Sequence, residues 1–352
     1  MAFYDNAPQA SASQAAMKRP ARLLVIGEPL VELLAEGSLV SDAMLHRRAS
    51  GDVLTTASAA AQQGITTQLI TRLSRDALGQ GLLEAMTTMG VQWHSPRWHD
   101  PATQEGVSNG VIFRSRSNAD LNAFVYQRKG SAASQMTPQD LASETFQGEG
   151  IVFSSGITMA ISASARKTVF SAFQRAKAAG WTTAFDPNYR PALWSKPSAY
   201  LEAMSDIFPL TDVLLLSTPT DCRPLCHLTR HEAVLDYLGY QGVPLVVLKA
   251  GDEGCFLRFR GETMAIPAYW PEPIAPSVGE IDAVGAGDAF NGGFLAALAE
   301  HQSLLACAQR SVMTAGLYLH RQQGLAGLPS RNEMSRLLSP AQVRLPNQPR
   351  GF

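Results

Sequence analysis

The chain predicts an α/β fold: a doubly wound, mostly parallel sheet flanked by helices, with a small β-sheet lid. Three observations predict it. Short apolar runs of strand length alternate with longer stretches of helical periodicity. Two separated segments break that alternation with short in-out patterns typical of strands. Apolar residues make up 45% of the 352 positions and charged ones 17%, enough to bury a sizeable core.

Residues 1–20, rich in Ala, Ser and Gln without periodicity, read as a flexible tail, and the folded domain is expected over residues 21–339. Leu23–Ile26 is a buried strand ended by Gly27. Val31–Arg48 reads as antiparallel lid strands. Helix Val53–Gln63, strand Thr67–Thr71 and helix Leu78–Met89 follow. His94–Arg128 supplies the second set of lid strands, in Val107–Phe113 and Ala123–Arg128. The alternation then resumes with strand Ile151–Ser154, helix Ala163–Ala179, strand Thr182–Phe185 and helix Ala199–Ile207. Strands Val213–Leu216 and Leu245–Leu248 and helix Ala289–Glu300 complete it. Pro340, Pro346 and Pro349 mark residues 340–352 as a C-terminal tail.

A net charge of −1 gives no footprint for nucleic acid or an anionic membrane. No apolar run approaches the roughly 18 residues of a membrane span. The run Leu23–Ile26 after Lys18, Arg19 and Arg22 is too short for a signal peptide, and Glu28 interrupts it, so the reading is cytoplasmic. Four cysteines do not form a disulfide framework in a chain this long. Cys222, Cys226, His227 and His231 invite a zinc reading, but no second paired cluster supports it, and no metal ligands are assigned.

The strongest chemical signal is the run from Asp282 to Phe294, where a Gly-rich turn enters an apolar helix. Gly285, Ala286 and Gly287 carry almost no side chain, so their N–H groups can close around an anion at a helix start. Asp288 stands at the mouth of that anion hole. A carboxylate there suits a base that takes a proton from an alcohol during phosphoryl transfer. The plainer reading is a tight strand-to-helix connection with Asp288 as a cap.

Four further segments carry candidate contacts. Asp186-Pro187-Asn188-Tyr189-Arg190 falls on a loop at a strand end, and Arg190 can fork onto phosphate or carboxylate oxygens. Lys249, Gly251 and Gly254 follow a strand, where two glycines allow a nucleotide to approach; a β-hairpin would use the same residues. Tyr126 and Arg128 share one face of a lid strand, and Arg128 suits an acidic substrate. Gly51 lets a ligand near the backbone, while Asp52 accepts from sugar hydroxyls or caps the following helix. GxxxxGK[ST] is absent, as is GxGxxG after the first strand, which argues against P-loop and dinucleotide folds.

From about Leu23 to Pro329 these residues resemble the ribokinase-like (PfkB) sugar kinases. Asp282–Asp288 looks like that family's DTxGAGD signature, with Ala283 in place of Thr or Pro. The resemblance implies Asp288 as catalytic base, an anion hole at Gly285, Ala286 and Gly287, ATP and Mg²⁺, and a small sugar or sugar acid as acceptor. Asp186–Arg190 is similar to DxNxR, and Lys249–Gly254 to the nucleotide loop, placing Asn188, Lys249, Gly251 and Gly254 on the nucleotide side. Tyr126–Ser134 and Asp186–Trp194 resemble the YxRKGSAAS and DPNYRPxLW of 2-keto-3-deoxygluconate kinases. That implies Gly51, Tyr126, Arg128 and Arg190 around a keto acid phosphorylated at its 6-hydroxyl, with Asp52 kept as a candidate for its hydroxyls. Fructokinases share most of the second pattern, so only the Tyr126 segment separates the two. Ser50 and Thr55 replace a Gly and an Asn of the family's GGxxxN, Ile112 stands where some relatives place a Tyr, and Ser217–Thr220 replaces its NxxE. A degenerate relative that binds sugar without turnover is the alternative of another class. Pairing through the lid face, giving a homodimer, is a further implication of the resemblance.

Overall fold

The structure is a computed structural model that describes residues 21–40, 42–93, 97–99, 107–115, 124–271 and 281–338. The tails expected at 1–20 and 340–352, and parts of the second lid segment, lie outside the described residues.

The chain opens with β1 (Arg22–Ile26), β2 (Leu30–Ala35), β3 (Leu45–Ser50) and α1 (Asp52–Gln62). It continues through β4 (Thr67–Ile70), β5 (Arg72–Ser74), α2 (Ala77–Thr88), β6 (Gln92–Trp93), β7 (Arg97–His99), β8 (Val111–Ser115) and β9 (Phe124–Gln127). Next come β10 (Gly150–Ser155), α3 (Gly156–Ile161), α4 (Ala163–Ala178), β11 (Thr182–Asp186), α5 (Pro197–Ile207) and β12 (Val213–Ser217). The remainder is α6 (Cys222–Cys226), α7 (His231–Tyr240), β13 (Leu245–Lys249), β14 (Cys255–Phe259), β15 (Glu262–Ile266), α8 (Ala286–Ala299), α9 (Leu304–Arg321) and α10 (Arg331–Leu337).

Among the described residues the main sheet has nine strands in the order β15-β14-β13-β12-β11-β10-β1-β4-β6. The seven strands from β13 to β6 run parallel, as their near-continuous apolar runs require when both faces are covered. One core packs Leu23 and Val25 against α1 and α8, and the other packs Leu24 and Ile26 against α4 and α5, so successive residues of β1 serve opposite faces. After β1 the chain adds β4 on one side and later β10 on the other. The order therefore reverses between β1 and β10, where open α/β sheets leave a crevice at their C-terminal edge.

The second sheet has the order β3-β2-β8-β9. The antiparallel expectation needs a correction here, because β2 and β8 pair in parallel, Val31 opposite Val111. The 75 residues between β2 and β8 carry the chain through α1, β4 and α2 and bring it back in the same direction. A similar correction applies to β7, which leaves this sheet and pairs with β5. The segment after Lys249 does form a hairpin: β14 and β15 extend the main sheet antiparallel. No helix of the described residues is long and apolar enough to cross a membrane.

Candidate active site

Four strand ends and one helix start converge at the C-terminal edge of the main sheet. Asp186 ends β11 and Lys249 ends β13, and both are buried because parallel strands place their last residues over the crevice. Lys249 Nζ donates to Asp186 Oδ2 at 2.6 Å and to Asn291 Oδ1 at 3.1 Å. Asn291 Nδ2 donates to the same Asp186 oxygen at 2.6 Å, closing a triangle. Asp186 Oδ1 accepts from the N–H of Asn188 at 3.0 Å, which holds Asn188 with φ of 38°. A buried lysine and carboxylate are tolerable only with such pairing.

Gly285 starts α8 with φ of 88°, and a Cβ there would lie 2.4 Å from Tyr318 Oη, so glycine alone fits. The Ala286 N–H donates to Ala283 O at 3.2 Å and closes the turn, so Ala286 leaves the expected trio of free donors. Gly287 and Asp288 occupy the second and third helical positions, whose N–H groups have no carbonyl one turn back within the helix. A Cβ on Gly287 would sit 3.6 Å from Lys249 Nζ, which places the lysine charge directly beside this helix start.

Asp288 is half-buried, and its carboxyl is pushed up to about 8. Desolvation is the main cause, followed by the charges of Asp52 and Asp186; Lys249 and Arg190 oppose it. It is not the helix cap, because Gly285 fills that position. Thr56 Oγ1 donates to Asp288 O at 3.1 Å, tying α8 to α1.

Asp52 is likewise inside α1 rather than its cap. Its Oδ2 accepts from Ser155 Oγ at 2.5 Å and from Asn188 Nδ2 at 3.4 Å, across the point where the strand order reverses. Burial raises its carboxyl, partly offset by Ser155 and the Arg128 charge. Gly51 is needed for a different reason than expected: a Cβ would meet Glu28 O at 2.9 Å, so the chain's own backbone takes the space assigned to a ligand. Gly254 is explained the same way, with Ile266 O 2.1 Å from its would-be Cβ, whereas Gly251 faces open space.

Arg128 is buried and ion-paired with Glu28, Nη2 lying 2.5 Å and Nε 2.7 Å from Oε2. Ser131 Oγ holds the other Glu28 oxygen. A free anion clamp is therefore not what Arg128 offers, since Glu28 already balances its charge. Among the described residues, the one hydrogen bond of the half-buried Arg190 guanidinium is from Nη1 to Tyr189 O at 2.9 Å. Tyr126 shares a sheet face with Ile112, its direct cross-strand partner.

Sequence reasoning missed Asn291, Glu28 and Asp221. Asn291 had a signal, as a lone amide in the apolar run of α8. Glu28 had one too, since it interrupts an apolar run. Asp221 accepts from the N–H groups of Tyr189 and Ser217, both at 2.7 Å, and pins two loops of the crevice. Its signal was its place directly after Ser217–Thr220, the stretch that stands where the family has NxxE. Burial and the nearby Asp186 push its carboxyl up to about 6.

A glycine-capped helix start beside the Lys249 charge, with a raised carboxylate in its first turn, fits one class of protein: an enzyme that moves a phosphoryl group onto a small-molecule alcohol. The comparisons with known proteins agree, and the chain belongs to the pfkB family of carbohydrate kinases, whose model matches residues 21–331. It is 32% identical over 282 residues to a 2-dehydro-3-deoxygalactonokinase of Haloferax volcanii, covering 79% of this chain and 84% of the relative. It is 30% identical over 320 residues to a 2-dehydro-3-deoxygluconokinase of Thermoproteus tenax, covering 90% and 94%. Its structure superposes on that of a PfkB protein from Polaromonas sp. JS666 with a TM-score of 0.76 at 27% identity, over 90% of this chain and 99% of that one.

Proposed function

We propose that this sugar kinase phosphorylates a 2-keto-3-deoxy sugar acid with ATP, 2-keto-3-deoxygluconate at its 6-hydroxyl being the preferred acceptor. The phosphoryl-transfer part of the reading rests on the Asp288 carboxyl, which sits in the first turn of a helix and is raised to about 8 by its surroundings, and the keto-deoxy acid part on the likeness to the two relatives above. A carboxylate tuned upward is a stronger base near neutral pH than an ordinary aspartate. Its deprotonated form takes the hydroxyl proton as that oxygen attacks the terminal phosphorus of ATP, and the bond from that phosphorus to its bridging oxygen breaks to release ADP. The N–H groups at the start of α8 and the Lys249 ammonium face the charge spread over the transferring group. The four-stranded sheet serves as a lid over the sugar side and excludes water.

Both oxygens of Asp186 and Asp221 are already committed to Asn188, Lys249, Asn291, Tyr189 and Ser217. This donor set fits a Mg²⁺ that arrives on the nucleotide and keeps its waters, neutralising phosphate charge. Arg190, whose charge reaches Asp288, is the better partner for the substrate carboxylate, with Tyr126 and Asp52 on its hydroxyls. The exposed Leu45 and Val125 on the outer face of the lid support pairing of two copies there. The reaction is assigned to the cytoplasm.

ATP-to-ADP turnover with Mg²⁺ is measured on 2-keto-3-deoxygluconate, its C4 epimer, fructose, ribose and gluconate. The keto-deoxy acids should exceed fructose in kcat/KM by about 100-fold, because fructose leaves the arginine without its carboxylate. Fructose as the best acceptor would sink the substrate assignment and leave the kinase chemistry standing. The base must be deprotonated to act, so kcat/KM should rise with pH and level off above a limb near 8. A profile already flat above pH 6 would show that Asp288 is not the titrating base.

A further inference from the structure

The strongest feature outside the reacting groups is a cluster of four balanced charges, of which Glu32 and Arg114 are buried and Arg48 and Asp282 half-buried. Glu32 on β2, Arg48 on β3 and Arg114 on β8 share one face of the lid sheet, because Glu32 lies opposite both Arg48 and Ile112 and the pleat alternates along each strand. The fourth member, Asp282, belongs to the loop that opens into α8.

Arg114, only 4% exposed, spans the two parts of the molecule. Its Nε donates to Glu32 Oε1 at 2.5 Å and its Nη2 to Asp282 Oδ2 at 2.7 Å. Arg48 holds the other Glu32 oxygen and lies 3.9 Å from Asp282 Oδ2, so it braces Glu32 and touches the loop weakly. The remaining oxygen of Asp282, Oδ1, accepts from the N–H of Val284 at 3.1 Å. One carboxylate thus takes a lid arginine on one oxygen and sets the turn toward Gly285 with the other. On the far side the loop is clamped by α9 and the residue that caps its C-terminus. Gln322 exchanges hydrogen bonds with Asp282 N and O, and Tyr318 Oη donates to Val284 O at 3.3 Å.

We propose that Arg114 is a positioning residue that links the sugar-side lid to the anion-binding turn, acting through Asp282. A guanidinium suits the task because its planar fork fixes two carboxylates at set angles, which a point charge on a flexible stem does not. The donors of the anion hole are backbone groups, so they can be aimed only by fixing the turn that carries them. With the lid seated, Arg114 holds Asp282, Asp282 holds Val284, and the free N–H groups of Gly287 and Asp288 meet the phosphoryl group in register. Loss of the link leaves the sugar contacts of Tyr126 and Arg190 in place and misaims the turn. Its signature is therefore a loss of kcat rather than of sugar binding.

The link rests on the phosphoryl-transfer reading of Asp288, and the test separates the two. Steady-state kinetics are measured on the full chain at a temperature where circular dichroism shows every variant folded. Arg114→Met should lower kcat by about 10- to 100-fold while the sugar KM moves by less than about threefold. Arg48→Met, which spares the 2.7 Å bond to Asp282, should lose much less. Asp282→Asn keeps an oxygen for Val284 and loses the charge, so it tests the link even where Arg114→Met fails to fold; its kcat should fall to a similar degree. The double variant should be no slower than the slower single, since both remove one interaction. Wild-type kcat in Arg114→Met or Asp282→Asn, equal losses in the Arg114 and Arg48 variants, or multiplicative losses in the double would each overturn the link. Wild-type turnover in Asp288→Asn would instead overturn the reading beneath it.

Discussion

Asp288→Asn is expected to abolish sugar-dependent turnover, lowering kcat by about 10³-fold, the mid-range contribution of a positioned general base. The amide has nearly the same shape, so the start of α8 and the triangle below it should persist, and ATP should still bind. The same variant should be more stable than the parent without ligand. In the native state the Asp288 carboxyl keeps its proton up to about 8, whereas in the unfolded chain it releases it near the ordinary aspartate value of 3.8. Between those values the folded form binds more protons, so rising pH favours unfolding. Asparagine removes that dependence. The melting temperatures of the two proteins should coincide near pH 4 and separate as pH rises to 8, with the variant higher. A variant that turned over normally would remove Asp288 from the mechanism. A gap in melting temperature that closed with rising pH would contradict the raised carboxyl.

Lys249→Met should have the largest effect on stability. The ammonium is the only charged partner recorded for Asp186 among the described residues, and both side chains are less than 10% exposed. Methionine fills the same volume but leaves a buried carboxylate with only two amide donors, from Asn188 and Asn291. Breaking such a pair costs about 3–5 kcal/mol. The melting temperature should fall by several degrees. Lys249 also opposes the upward shift of Asp288, so the pH limb of any remaining kcat/KM should move higher. Lys249→Met with Asp186→Asn should recover much of the stability without recovering activity, because no buried charge is then stranded. Equal stability in the single and double variants would mean that the pair does not carry this part of the fold.

Most of the main sheet was legible in the chain. Parallel strands buried on both faces read as continuous apolar runs, and the expected Leu23–Ile26, Thr182–Phe185 and Leu245–Leu248 match β1, β11 and β13 to within one residue at either end. The direction of β2 against β8 was not legible. Alternation shows that a segment is a half-buried strand but says nothing of its neighbour's direction, which depends on the route of the chain between them. The glycine readings divided in the same way. At Gly285 the motif and the structure agree, because both the turn and Tyr318 demand it. At Gly51 and Gly254 the small residue serves the chain's own backbone, and a sequence shows that space is needed without showing what fills it.

By itself, the sequence determined the α/β class and the glycine turn at Asp282–Asp288, because both rest on local rules: apolar period, strand length, and a glycine where φ must be positive. It also singled out Asp186, Asn188, Arg190 and Lys249, since residues that end parallel strands reach the same edge of the sheet. Only the tertiary structure decided which charges meet. Arg128 falls to Glu28, Lys249 to Asp186 and Arg114 to Asp282, over separations of 100, 63 and 168 residues. Coulomb energy and desolvation depend on distance through space and on burial, and neither is encoded in spacing along the chain. The raised carboxyl of Asp288 arises from that crowding and cannot be read from GAGD alone.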